Sequence, residues 1–133
     1  MIELLGEDQL LEYSARAMGW IDYPTDSIEQ GSKWHLDPAK APFDRTMFKR
    51  EWDPLKNYSQ CFWLETQLRL SIKISNDDSF VRVCKTGEPH SSITEWAADH
   101  APVVEGTQRM DIFKARCYAS VKVAALIYLE SVK

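Results

Sequence analysis

Glycine is scarce in this chain, five residues in 133, and none of the five falls in a GxGxxG or GxxxxGK[ST] pattern. That excludes a dinucleotide loop or a P-loop, which place glycines where backbone must approach a phosphate. Cysteine is scarcer still: Cys61, Cys84 and Cys117 make an odd count, separated by 23 and 33 residues. No CxxC or HxxxH spacing accompanies them, so neither a zinc site nor a disulfide framework is expected, and the count suits reduced thiols in a cytosolic protein. There is no run of 18 apolar residues, which excludes a membrane-spanning helix on sequence grounds. The first eight residues, Met1 to Asp8, lack a basic start and turn acidic at once, unlike a signal peptide. Large excess charge is also missing. Sixteen Lys and Arg against twenty Asp and Glu leave a net charge of −4, too mild for non-specific DNA binding or for a DNA mimic.

What is present fits one ordinary globular domain over residues 1–133. Apolar residues are 44% and charged residues 27%, which separates the chain from disordered, collagen-like and coiled-coil classes, and its length is too short for two independent cores. Charge is unevenly placed. Residues 1–30 hold seven acids and one base, whereas residues 31–75 hold eight bases and five acids. The plain reading is solvated or mutually facing surface charge; the functional reading is a patch that meets a charged partner.

Periodicity predicts a first helix over 6–18, with Leu10, Leu11, Ser14, Ala15 and Met18 at helical spacing, Glu7 and Asp8 at its N-terminus and Gly19 as its stop. From 20 to 51 the pattern dissolves into a long irregular segment rich in aromatics, with short strands expected at 20–23 and 33–36. Asp53-Pro54 reads as a cap and first-turn proline opening a second helix through about residue 66. Leu68, Leu70, Ile72 and Ile74 alternate with Arg69, Ser71, Lys73 and Ser75, a strand that Asn76-Asp77-Asp78 turns back into a partner over 79–85. Gly87-Glu88-Pro89 is expected to end that hairpin. A short helix over 92–100 follows, with Ser91 or Ser92 and Glu95 as a capping box and Ala101-Pro102 as the stop. The last element is a helix over about 111–132, apolar on nearly every side, and therefore central or packed against a second copy. The expected fold is α+β: a small antiparallel sheet around a central hairpin at about 68–85, packed with N-terminal, middle and long C-terminal helices, an α/β/α sandwich being one arrangement of these parts.

Chemistry-bearing residues are dispersed. His35, His90 and His100 are scattered, Cys84 with His90 lacks a recognised nucleophile context, and Asp77 with Asp78 is ordinary turn chemistry. No catalytic residue, metal or cofactor is assigned. The more informative constellation is Lys33, Trp34, His35, Arg45, Lys49, Arg50 and Trp52, with Arg69 and Lys73 on the polar face of the hairpin. Interleaved bases and aromatics suit three ends: core indoles with solvated charges around them, a protein interface where Trp and Arg dominate binding energy, or a site that clamps phosphate and stacks a base. Trp96, beside Glu95 and Asp99, reads as an amphipathic helix anchor first and an interface residue second.

The order of elements resembles the phage ABA sandwich domain family, which includes NinX-type small phage accessory proteins. The likeness rests on Trp52-Asp53-Pro54-Leu55 opening a helix, as the W-[ND]-P motif does in that family, and on the Ala- and Arg-containing C-terminal helix from Ala115-Arg116-Cys117 through Ala124-Ala125-Leu126. It covers nearly the whole chain, with a long 20–52 segment and an insertion-like 91–106 as departures. The resemblance implies a sheet between helical layers and a phage-encoded accessory protein in the cytoplasm of an infected bacterial host. The family carries no settled catalytic residues, so none are transferred. Three functions follow as expectations. The first is a non-enzymatic binder that inhibits a bacterial antiviral defence through contact with a host defence or nuclease protein. The second is a sponge for an immune signalling nucleotide, built as a homo-oligomer on the C-terminal helix. The third is an enzyme on nucleotides or nucleic acid. Direct DNA binding and membrane association are not expected.

Overall fold

The computed structural model describes residues 2–23, 33–36, 45–48, 51–100, 103–104, 107–108 and 111–132. After a single 3-10 turn at Ile2–Leu4, α1 runs over Glu7–Ala17. Gln9 reaches back so that its side-chain oxygen accepts the Gly6 N–H at 3.3 Å, and Glu7 and Asp8 occupy the first turn, where the helix dipole favours acids. Gly19, at φ 95, turns the chain out of the helix into β1 (Trp20–Tyr23). β1, β2 (Lys33–Leu36) and β3 (Arg45–Phe48) form an antiparallel sheet in that order, pairing Trp20 with Leu36 and Lys33 with Phe48. The two strands expected in this stretch are present, and β3 joins them.

The second helix starts later than the Asp53-Pro54 signal suggests. Asp53 instead closes a turn in which its carbonyl accepts the amides of Lys56 and Asn57, at 3.1 and 2.8 Å. Asn57 is the cap, its side chain accepting the Gln60 N–H at 3.1 Å, and α2 spans Tyr58–Gln67. Either residue can cap a helix; the turn takes Asp53 and leaves Asn57.

A second antiparallel sheet consists of β4 (Leu70–Ile74), β5 (Phe80–Lys85) and β6 (Glu88–Trp96), in sequence order. The expected hairpin is β4–β5. Its Asn76-Asp77-Asp78 turn is held by Asp77 Oδ1, which accepts from the Ser75 hydroxyl at 2.9 Å and the Ser79 hydroxyl at 2.7 Å. These bonds hold the Asp77 carboxyl below its ordinary pKa, the Ser79 hydroxyl contributing most. Gly87 does not end the sheet. Lys85 pairs with Glu88 across a Thr86-Gly87 turn, with Gly87 at φ +88, and the chain returns as a third strand. The helix expected over 92–100 is therefore strand through Trp96, followed by one 3-10 turn at Ala97–His100. Ile93 and Thr94 favour the pleated backbone, and Glu95, read as a capping acid, points instead to Lys122 on the last helix. A two-residue pair, β7 (Val103–Val104) with β8 (Thr107–Gln108), precedes α3 (Ile112–Ser131).

Asp111 caps α3 by accepting the Lys114 N–H at 2.9 Å. The helix packs on one face of β5 and β6 and also against α1 and α2, which explains why its sequence is apolar nearly all round. Ala115, Ala119 and Val123 meet Val81 and Val83 of the sheet, while Val121 and Ala125 meet Leu10 of α1 and Leu55. Ala124 closes a third cluster with Ala15, Met18, Trp20, Trp52 and Leu64. Here Trp20, Trp52 and Trp63 lie edge-to-face or tilted, with ring centroids 5.8 to 6.3 Å apart. The fold class is α+β, with a small antiparallel sheet and the long C-terminal helix packed on it.

Candidate functional site

The residues singled out from sequence separate into distinct environments. Lys33, Trp34 and His35 lie on β2 and Arg45 on β3, with Trp34 opposite Met47 and Leu36 opposite Arg45 in register. Lys49 and Arg50 lie outside the described residues. Trp52 is a core residue, 1% exposed, whose indole N–H donates to Leu11 O at 3.1 Å and Ser14 Oγ at 3.2 Å. It has no surface to offer a partner. Arg69 and Lys73 are exposed. Arg69 takes a left-handed conformation at φ 54, and its carbonyl accepts the Thr86 amide and hydroxyl at 3.1 and 2.6 Å, which closes the base of the sheet.

Two aromatic surfaces emerge, the first outside the sequence constellation and the second built around its Lys73. The first spans α2 and α3. Tyr58, Phe62 and Phe113 are 43%, 42% and 54% exposed. The Tyr58 and Phe113 rings lie 6.0 Å apart, and the Arg116 guanidinium sits 4.9 Å over the Phe62 ring. Helical spacing explains the layout, since Tyr58 and Phe62 are one turn apart on α2, as Phe113 and Arg116 nearly are on α3. Desolvation and the nearby Asp111 carboxylate hold the Tyr58 hydroxyl above its ordinary pKa.

Beneath this surface a buried carboxylate pairs with the partly exposed Arg116. Glu65, 6% exposed, accepts from Arg116 Nη2 at 2.7 Å and Nε at 2.9 Å, and from the Ser120 hydroxyl at 2.6 Å. The Glu65 bond raises the Arg116 pKa, so the guanidinium is fixed as a cation whose charge is already answered. Cys61 donates weakly to Glu65 Oε2 at 3.7 Å; contact with the Cys117 thiol, then burial, pushes its own thiol up. All three cysteines are free.

The second surface is the outer face of the β4–β5–β6 sheet. Strand alternation turns Val81 and Val83 toward α3 and turns Phe80, Arg82 and Cys84 the other way. Register sets Arg82 directly opposite Lys73 on one side and Thr94 on the other, and sets Phe80 opposite Trp96. Trp96 is 52% exposed and meets Phe80 edge-on at 5.3 Å. Arg82 Nε donates to Thr94 Oγ1 at 3.2 Å, and its guanidinium lies 5.6 Å over the Phe80 ring. The alternation that reveals Lys73 also places Phe80 and Arg82 on this face. Trp96, expected as a helix anchor first and an interface residue second, lies on a strand and is half exposed.

A polar cluster joins β6 to α3. Glu95 accepts from Lys122, and its other oxygen lies 4.0 Å from His100 Nε2, which is buried without a hydrogen-bond partner. His100 packs on the Tyr118 ring at 4.6 Å, and the Tyr118 hydroxyl donates to Glu7 at 2.5 Å. Burial, then the Glu7 bond, pushes the Tyr118 pKa up to about 12. His100 therefore does converge with acids, but Glu95 is already engaged by Lys122. Among the described residues no group of His, Cys, Asp and Glu is arranged to hold a metal. No described helix is long and apolar enough to cross a membrane. What the arrangement offers chemically is contact: one apolar aromatic surface, and one basic aromatic surface.

Comparison with protein-family models, with curated proteins and with solved structures returns no match for this chain.

Proposed function

We propose that this chain is a non-enzymatic binding protein that grips a protein partner through the Tyr58–Phe62–Phe113 surface of α2 and α3. The observation that carries this reading is the exposure of Tyr58, Phe62 and Phe113 across α2 and α3, with Tyr58 against Phe113 and Arg116 over Phe62. Clusters of this kind supply the anchors of protein interfaces, because large rigid rings bury much area for little conformational entropy. The Glu65–Arg116 pair ties α2 to α3 and supports the rings before a partner arrives. The resemblance to phage accessory domains supports a host defence or nuclease protein as the partner, inhibited by occupation.

The test is a pull-down from bacterial lysate with wild-type chain and with Phe113→Ala and Tyr58→Ala. The reading requires a stoichiometric protein partner on the wild type that both variants release, while their melting temperatures stay within about 2 °C of wild type, as exposed truncations should. A partner retained equally by both variants contradicts it.

A further inference from the structure

We infer that the outer face of the β4–β5–β6 sheet is a separate binding site for single-stranded nucleic acid. Lys73 and Arg82 face each other directly across β4 and β5, an arrangement that costs stability because like charges oppose. Among the described residues neither cation has an acidic partner; Arg82 is held instead by Thr94 and the Phe80 ring. The acids at the hairpin end, Asp77 and Asp78, lie in the turn beyond the strands, where Asp77 accepts from Ser75 and Ser79 and not from either cation. A net charge of −4 for the whole chain thus coexists with a pair of adjacent, exposed cations on this face. Uncompensated cations held side by side on a sheet are complementary to a chain of phosphates.

The second observation selects nucleic acid over an acidic protein. On the same face, one residue pair along the strands, Phe80 and Trp96 stand side by side, and Trp96 keeps half of its surface open. Carboxylate-rich protein surfaces need no flat rings beside the cations, whereas nucleobases stack on them whatever the sequence. Trp96 presents its ring on this face, propped by Phe80, which suits an unpaired base of a strand laid across it and does not suit a duplex, whose bases are already stacked. Arg82 is pre-positioned by its bond to Thr94, so little ordering accompanies binding.

The test is fluorescence anisotropy of a labelled 12-nucleotide oligothymidylate at low salt, with the same label on a duplex. The expected result is binding of the single strand in preference to the duplex, with a log–log salt slope of about −1.4 for two neutralised phosphates. Arg82→Glu and Lys73→Glu, which relieve the like-charge pair and so keep the fold, should each weaken binding about tenfold. Trp96→Ala should weaken it about tenfold through lost stacking. Phe113→Ala leaves this binding unchanged, which separates this site from the protein-docking surface. Equal affinity for duplex, indifference to Trp96→Ala, or binding of polyglutamate in place of the oligonucleotide would each overturn the inference.

Discussion

The indole N–H of Trp52 donates to the hydroxyl of Ser14 across 38 residues of chain, at 3.2 Å. Ser14 in turn donates to Leu11 O at 2.9 Å, and Trp52 reaches the same carbonyl at 3.1 Å. One tryptophan thus fastens the segment before α2 to the buried side of α1. The Trp-Asp-Pro-Leu stretch earns its place by packing: Trp52, Pro54 and Leu55 are all buried.

Trp52→Phe keeps most of the ring volume and removes the donor. The expected loss is about 1 kcal/mol in urea denaturation, the net worth of the lost N–H bonds, because Leu11 O keeps the Ser14 hydroxyl as a donor. Trp52→Ala should cost about 3–5 kcal/mol, because it also opens a cavity against Trp20 and Trp63. A negligible loss for both would remove Trp52 from the core account.

Glu65→Ala leaves Arg116 and Ser120 without their shared acceptor. Arg116 keeps about a quarter of its side chain in water, so stranding it costs about 1–3 kcal/mol, and the double replacement Glu65→Leu with Arg116→Met should recover most of that. Chemical denaturation of the three variants checks this. Equal losses in the single and double variants would mean the pair itself, not the stranded cation, sets the stability.

Acid should weaken the junction of β6 and α3. Burial holds the His100 pKa below its ordinary value of 6.5; Glu95 and Asp99 oppose that shift, and Lys114 and Lys122 add to it. The folded protein therefore takes up this proton less readily than the unfolded chain. The stability from His100 is complete above about pH 6.5 and is lost as pH falls below it. Between pH 7.5 and 5.5 the wild type should lose a few degrees more in melting temperature than His100→Gln. Parallel profiles would show that His100 does not contribute.

Much of the fold could be read from local pattern, and the misreadings share a cause. The alternation of Leu70, Ile72 and Ile74 with Ser71 and Lys73 marks β4, and the all-round apolar run marks α3 as central, because each signal lies within its own element. At Ser92–Glu95 a capping-box pattern competes with a strand, and pairing with β5, where Val83 meets Ile93 and Arg82 meets Thr94, settles it. At Asp53 and Asn57 two good caps sit four residues apart, and the turn bonds at Asp53 decide between them. The candidate surfaces follow the same rule. Tyr58 and Phe62 are visible as one helical face, but Phe113 reaches Tyr58 only through the packing of α3 on α2. Trp52 drew notice as an aromatic among bases, yet its burial depends on α1.

The central claim is tested most directly by titrating the protein partner recovered from lysate against purified wild type and Phe113→Ala in a calorimeter. An anchor in the middle of an interface carries about 2 kcal/mol or more, so the account predicts at least a thirtyfold loss of affinity with unchanged stoichiometry and melting temperature. Equal affinity for the two proteins would contradict it and remove the α2–α3 surface from the binding mechanism.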